Sequence, residues 1–205
     1  FQAFSSVLVG GGIAVWYLTI TIAFQEYQLF SQSLAFGITI LITAFTVGLS
    51  VLYNRVELAV LGLLGGFTAP FLVSGEGGSY ITLFTYLLIL NGGMLTLAYL
   101  KQWRLVNILA YVGTVVLFGS WLVNQFLDQA VPPYLGMLIY ATLFYGIFVA
   151  MVLVDYLKLR QQLARIEFTI LLTNNAFFFL AGLAILDNLV NGELQGLFTI
   201  LLTMI

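Results

Sequence analysis

The chain has 205 residues, of which 62% are hydrophobic and 7% charged, with no His and no Cys; an ordinary soluble domain carries about 25% charged residues, so a water-soluble globular enzyme is excluded. Six Lys and Arg against eight Asp and Glu leave a net charge of −2, too little of either sign for a surface that binds nucleic acid. Without Cys there is no disulfide framework and no thiolate nucleophile; without His the commonest side chain of zinc, haem and imidazole chemistry is missing, so no metal site and no cofactor are expected.

A bilayer core takes about 20 helical residues, because no unpaired backbone group is tolerated in hydrocarbon. Apolar runs of that kind recur along the chain. The first, Phe4 to Phe24, is longer than a signal-peptide core and lacks a basic flank, so it reads as a spanning helix. Within it Gly10 and Ala14, four apart, mark a close-packing face, and Gly10-Gly11-Gly12 has none of the strand-helix context of a dinucleotide fingerprint. The second, Ser33 to Tyr53, contains Thr39, Thr43 and Thr46, whose hydroxyls can bond upstream carbonyls of their own helix.

The third run, Leu58 to Val73, is short and holds Gly62, Gly65, Gly66 and Pro70. Gly62 and Gly66 share one face and invite close approach of a neighbouring backbone. Pro70 lacks an N–H and obstructs the carbonyl of Gly66, so a kink or break is expected there. If the helix breaks, exposed backbone offers a transporter-like ligand site, with Gly65, Gly66 and Pro70 as its residues; if it does not, the glycines serve packing. The loop Ser74 to Ser79 is Gly-rich but lacks the Lys and preceding strand of a phosphate-binding loop.

Further runs follow at Tyr80 to Leu100, Leu105 to Val123, Tyr134 to Val154 and Phe168 to Leu186, and an eighth begins near Leu194. Asn91 falls near the middle of the fourth run, and Asn174 and Asn175 fall within the seventh. An amide in lipid is costly unless it finds a partner, so all three should face protein or water, as interhelical hydrogen bonds or as ligand contacts. Barrel strands would alternate in polarity, and these runs do not. The fold class is all-α, a polytopic transmembrane helix bundle of seven full spans and a truncated eighth, forming one transmembrane domain over residues 1–205. Opening on Phe1 and closing inside an apolar run at Ile205, it reads as a segment of a longer chain.

The connectors sort by charge. The second, fourth and sixth carry all the cations (Arg55, Lys101, Arg104, Lys158, Arg160 and Arg165) together with Glu57, Asp155 and Glu167. The first, third, fifth and seventh carry Glu26, Glu76, Asp128, Asp187 and Glu193 and no cation. Lys and Arg in short loops mark the cytoplasmic side, which puts Phe1 inside. Tyr27, Tyr53, Tyr80, Trp103, Trp121, Tyr134 and Tyr156 lie near span ends, as interfacial rings do. The sixth connector, Asp155 to Glu167, reads as a helix extension with snorkelling cations, or else as a lipid-sensing element.

The string Leu61-Gly-Leu-Leu-Gly-Gly-Phe-Thr-Ala-Pro-Phe-Leu72 resembles the signature of a bacterial family of multi-span membrane proteins labelled domain of unknown function twenty-three thirty-nine. Gly10-Gly-Gly-Ile-Ala-Val-Trp-Tyr-Leu-Thr19, Leu90-Asn-Gly-Gly93 and Val112-Gly-Thr114 support it. The resemblance extends from Phe1 to about Val123. It implies a bacterial cytoplasmic-membrane protein with more spans on both sides of this segment, and it carries over no catalytic residue because the family has no assigned activity.

Three functions are therefore weighed. The first is a non-enzymatic, transport-like or envelope-related multi-span module, with Gly65, Gly66, Pro70 and Asn91 nearest any pocket. The second is a membrane scaffold or assembly subunit whose glycines serve packing alone. The third is a membrane enzyme acting on lipid-linked substrates through Glu26, Glu76 and Asp128 at the outer face. No charged residue lies deep in a span, which counts against a proton-coupled pump. The expected partners are the lipid bilayer and neighbouring helices of the longer chain or of other membrane proteins, and no nucleic acid.

Overall fold

A computed structural model describes residues 2–73, 79–101, 103–127, 133–159, 165–189 and 194–203. Each element among them is an α-helix: α1 (Gln2–Gln25), α2 (Gln32–Tyr53), α3 (Val56–Val73), α4 (Tyr80–Lys101), α5 (Arg104–Leu127), α6 (Tyr134–Leu159), α7 (Arg165–Leu189) and α8 (Gln195–Thr203). The helices run a few residues beyond the apolar spans, because the backbone stays helical into the interface while hydropathy falls at the first polar side chains. Six of them, α1, α2 and α4 to α7, are long and apolar enough to cross a membrane, and α3 is a shorter apolar helix. The sixth connector is helical through Leu159 on one side and from Arg165 on the other; Leu163 and Arg160 lie outside the described residues.

Polarity is inverted relative to a protein in water. Thr39, Thr43, Thr46, Ser50, Asn91, Asn107, Thr114 and Asn174 are buried, while Leu8, Leu18, Leu41, Leu52, Val116, Leu143, Leu172 and Leu180 are exposed. Water would penalise that arrangement; hydrocarbon favours it, because only protein can satisfy a hydroxyl or amide there.

The chain divides into two compact units, Phe1–Gly113 and Thr114–Ile205. In the first, α2 opens on Ser31, whose side chain accepts from Leu34 N, and closes on Asn54 at φ 53°, a left-handed position that Asn tolerates. Arg55 N then donates to Ser50 O at 2.9 Å, so the turn into α3 is only two residues long. Gln25 Nε2 donates to Leu72 O at 2.8 Å, joining the C-terminal ends of α1 and α3. Lys101 Nζ donates to Asn54 Oδ1 at 2.9 Å, joining those of α2 and α4. Successive helices of this unit therefore alternate in direction, with Arg55 and Lys101 at one end and Glu26 at the other.

α3 is continuous from Val56 to Val73 with Pro70 inside it; of the alternatives the sequence left open, the helix does not break. The reason lies in α4: Tyr86 Oη donates to Gly66 O at 2.6 Å. That carbonyl is the one Pro70 leaves without its helical partner. A tyrosine hydroxyl thus replaces the missing N–H, and α3 needs no opening to satisfy its backbone.

The second unit is built on aromatic rings. Phe118 meets Phe144 and Phe177 edge-on, at centroid distances of 5.6 and 6.2 Å. Tyr145 stacks on Phe178 at 4.5 Å, and Phe178 meets Phe198 of α8 at 5.4 Å. Gln195 Nε2 reaches Leu183 O and Asp187 Oδ1, both at 3.2 Å, tying the start of α8 to the end of α7.

Candidate functional site

The residues with the most constrained surroundings lie where α1, α2, α3 and α4 meet. The buried stripe of α1 is Gly10, Ile13, Tyr17 and Thr21, spaced as one helical face. Tyr17 projects from it with its ring over Gly65, so close that a Cβ there would overlap the ring. Its Oη lies 2.6 Å from Thr43 Oγ1 and 3.4 Å from Gly62 O. Because Thr43 Oγ1 donates to Thr39 O at 2.8 Å, its single proton is used and Tyr17 is the donor of the shorter bond.

A Cβ at Gly66 would stand 3.0 Å from Leu90 Cδ1 and 3.4 Å from Thr43 Oγ1. One at Gly62 would stand 3.0 Å from Thr46 Cγ2. Gly62, Gly65 and Gly66 therefore admit Thr46, Tyr17 and Leu90, three neighbours on three different helices. The hydroxyls of Thr39 and Thr43 both face Tyr86 Oη. The result is a buried cluster of neutral oxygens, from two tyrosines, two threonines and two α3 carbonyls.

Of the other glycines expected to pack, Gly10 does so, with Leu61 Cδ1 2.7 Å from where its Cβ would be. Ala14 does not: it is exposed, because the stripe through Ile13 and Tyr17 turns it away. Thr39, Thr43 and Thr46 donate to Phe36 O, Thr39 O and Ile42 O at 2.7–2.9 Å, as helical threonines can. Asn91 is fully buried, and its Nδ2 donates to Leu87 O at 2.9 Å.

Asn174 and Asn175 belong to the second unit. Asn174 Nδ2 donates to Tyr145 O at 3.3 Å, while Asn175 Oδ1 accepts from Tyr145 Oη at 2.8 Å. The pair clasps one residue of α6 by its backbone and its side chain. The cavity beside Asn174 has a volume of about 10 Å³, no more than about one water needs.

Three tyrosines in mid-span, Tyr17, Tyr86 and Tyr145, are the residues that sequence reasoning missed. The available signal was depth: a tyrosine far from a span end needs an internal acceptor, and Pro70 provides one for Tyr86. Glu167 was also missed, since it is 6% exposed in the first turn of α7, where a carboxylate complements the helix dipole.

Chemically the cluster offers hydroxyls and backbone carbonyls, groups that donate and accept hydrogen bonds. Among the described residues no group of three or more Asp or Glu is placed to hold a metal. Of the carboxylates expected at the outer face, Glu26 is exposed and Asp187 meets Gln195, while Glu76, Asp128 and Glu193 lie outside the described residues.

Helices of bilayer length, with threonines and asparagines turned inward and leucines outward, define a multi-span α-helical membrane protein. The chain belongs to the family described as Predicted membrane protein (DUF2339), whose model matches residues 1–204. The match continues well past Val123, so α6, α7 and α8 belong to it as much as the glycine-rich first half, although they carry few of the glycine strings on which the resemblance was drawn. No curated protein and no solved structure matches the chain.

Proposed function

We propose that this chain is a non-catalytic scaffold module of a bacterial cytoplasmic-membrane protein, with α3 as a full crossing, α8 as the start of an eighth, and Phe1 on the cytoplasmic side. The observation that carries it is the Tyr86 hydroxyl on Gly66 O. A helix whose proline defect is repaired from inside the protein has no free backbone to offer a ligand. Gly65, Gly66 and Pro70 are on this reading packing residues, and Asn91, Asn174 and Asn175 are interhelical ties. Orientation rests on the cations gathered in alternate connectors, two of which, Arg55 and Lys101, stand at one end of the first unit.

The absence of native Cys makes the test direct. Single Cys residues at Ala69, buried on α3, and at Asn91, in the full chain in sealed vesicles, should resist a water-soluble maleimide, whereas Cys at Arg55 and Glu26 should react from opposite sides. Labelling at position 69 or 91 from either side would restore the transport-like reading. Labelling of 55 and 26 from the same side would overturn the topology.

A further inference from the structure

α2 and α4 run in the same direction and are tied at their C-terminal ends, but between them is a cavity of about 550 Å³. Its walls include Ala44, Val47 and Gly48 from α2 and Ile89, Gly93 and Met94 from α4, and it reaches down to Leu52 and Leu100. The lining is overwhelmingly aliphatic. Gly48 and Gly93 keep it wide, since a Cβ at either would meet nothing within 4 Å.

We propose that this groove is a binding site for an anionic glycerophospholipid, with one acyl chain lying between α2 and α4 and the phosphate on Lys101. Three features select that occupant over a helix. The volume is that of a small-ligand site, about 300–1,000 Å³. Leu52 and Leu100 line the foot of the groove, and just beyond them in each helix Asn54 and Lys101 meet, the Lys101 ammonium spending one donor on Asn54 Oδ1 and having two more for phosphate oxygens. Tyr53 and Tyr99 are exposed at the same end, where amphipathic rings mark headgroup depth. Chain and headgroup are thus offered an apolar slot and a cation in the order a lipid presents them.

The test uses the full chain in nanodiscs doped with photoactivatable phosphatidylglycerol or phosphatidylcholine carrying a diazirine in the acyl chain, with adducts mapped by mass spectrometry. Phosphatidylglycerol should label residues 40–52 and 89–100 in preference to phosphatidylcholine. Lys101→Gln should reduce that preference about fivefold, the contribution of one surface cation to anionic-lipid binding. Gly93→Leu and Gly48→Leu, which fill the groove from open positions, should remove the adducts there and leave lipid adducts elsewhere unchanged. Equal labelling by the two headgroups, adducts that persist in both filled variants, or a groove left unlabelled because another helix covers it would each overturn the proposal. Accessibility at positions 69 and 91 plays no part in these outcomes, so the proposal stands or falls separately from the scaffold reading.

Discussion

The two compact units fix their helices by different chemistry. In the first, glycines on α3 bring neighbours close enough for tyrosine hydroxyls to reach backbone carbonyls. In the second, rings fill the space and an asparagine pair holds Tyr145. The first solution is unforgiving, because a missing Cβ is occupied by a neighbour that is itself hydrogen-bonded. The second also has a close glycine, Gly182, beneath the Phe198 ring, but that ring carries no hydrogen bond to lose, and polar ties in membrane interiors are worth on average about 0.6 kcal/mol each. The backbone defect that α3 carries at Pro70 is met by the first of these, a hydroxyl from the next helix.

Four substitutions sharpen that contrast. Gly65→Leu should be the most damaging, by about 3 kcal/mol or more, because the new side chain displaces the Tyr17 ring and with it the bond to Thr43; the check is reversible unfolding in mixed micelles. Tyr86→Phe should cost about 2 kcal/mol in the same assay, near the upper end for a hydrogen bond in a membrane protein, because Gly66 O then loses its donor in a helix that cannot supply another. Asn175→Leu in the second unit should cost about 0.6 kcal/mol, breaking the Tyr145 hydroxyl tie between helices and the amide's bond to Leu171 O within its own helix. Gly12→Ala, at an exposed helical position with nothing within 4 Å of the added Cβ, should be neutral or stabilise by up to about 1 kcal/mol. An Asn175→Leu cost as large as that of Tyr86→Phe would remove the distinction between the units.

Element positions were readable from apolar length alone, since lipid leaves helix as the one way to satisfy a spanning backbone. The threonine hydroxyl bonds were equally readable, because their acceptors are on their own helix, but a hydroxyl satisfied in that way does not say which way its helix face turns. The continuity of α3 was not: Pro70 signals a break locally, and the hydroxyl that prevents it comes from Tyr86, on the next helix. Nor was the Asn174 and Asn175 clasp, whose partner Tyr145 is set by how α6 packs on α7. Ala14 failed for a simpler reason, because spacing by four identifies a face without saying whether that face is covered.

The most direct measurement is a double-mutant cycle between Tyr86→Phe and Pro70→Ala, read as unfolding free energy. Alanine at position 70 returns an N–H to Gly66 O, so the loss from Tyr86→Phe should shrink from about 2 kcal/mol to about 0.5 kcal/mol or less, a coupling well within the range of contacting residues. Equal losses in the two backgrounds would mean that the tyrosine does not stand in for the missing amide, and α3 would have to be kept continuous by something else.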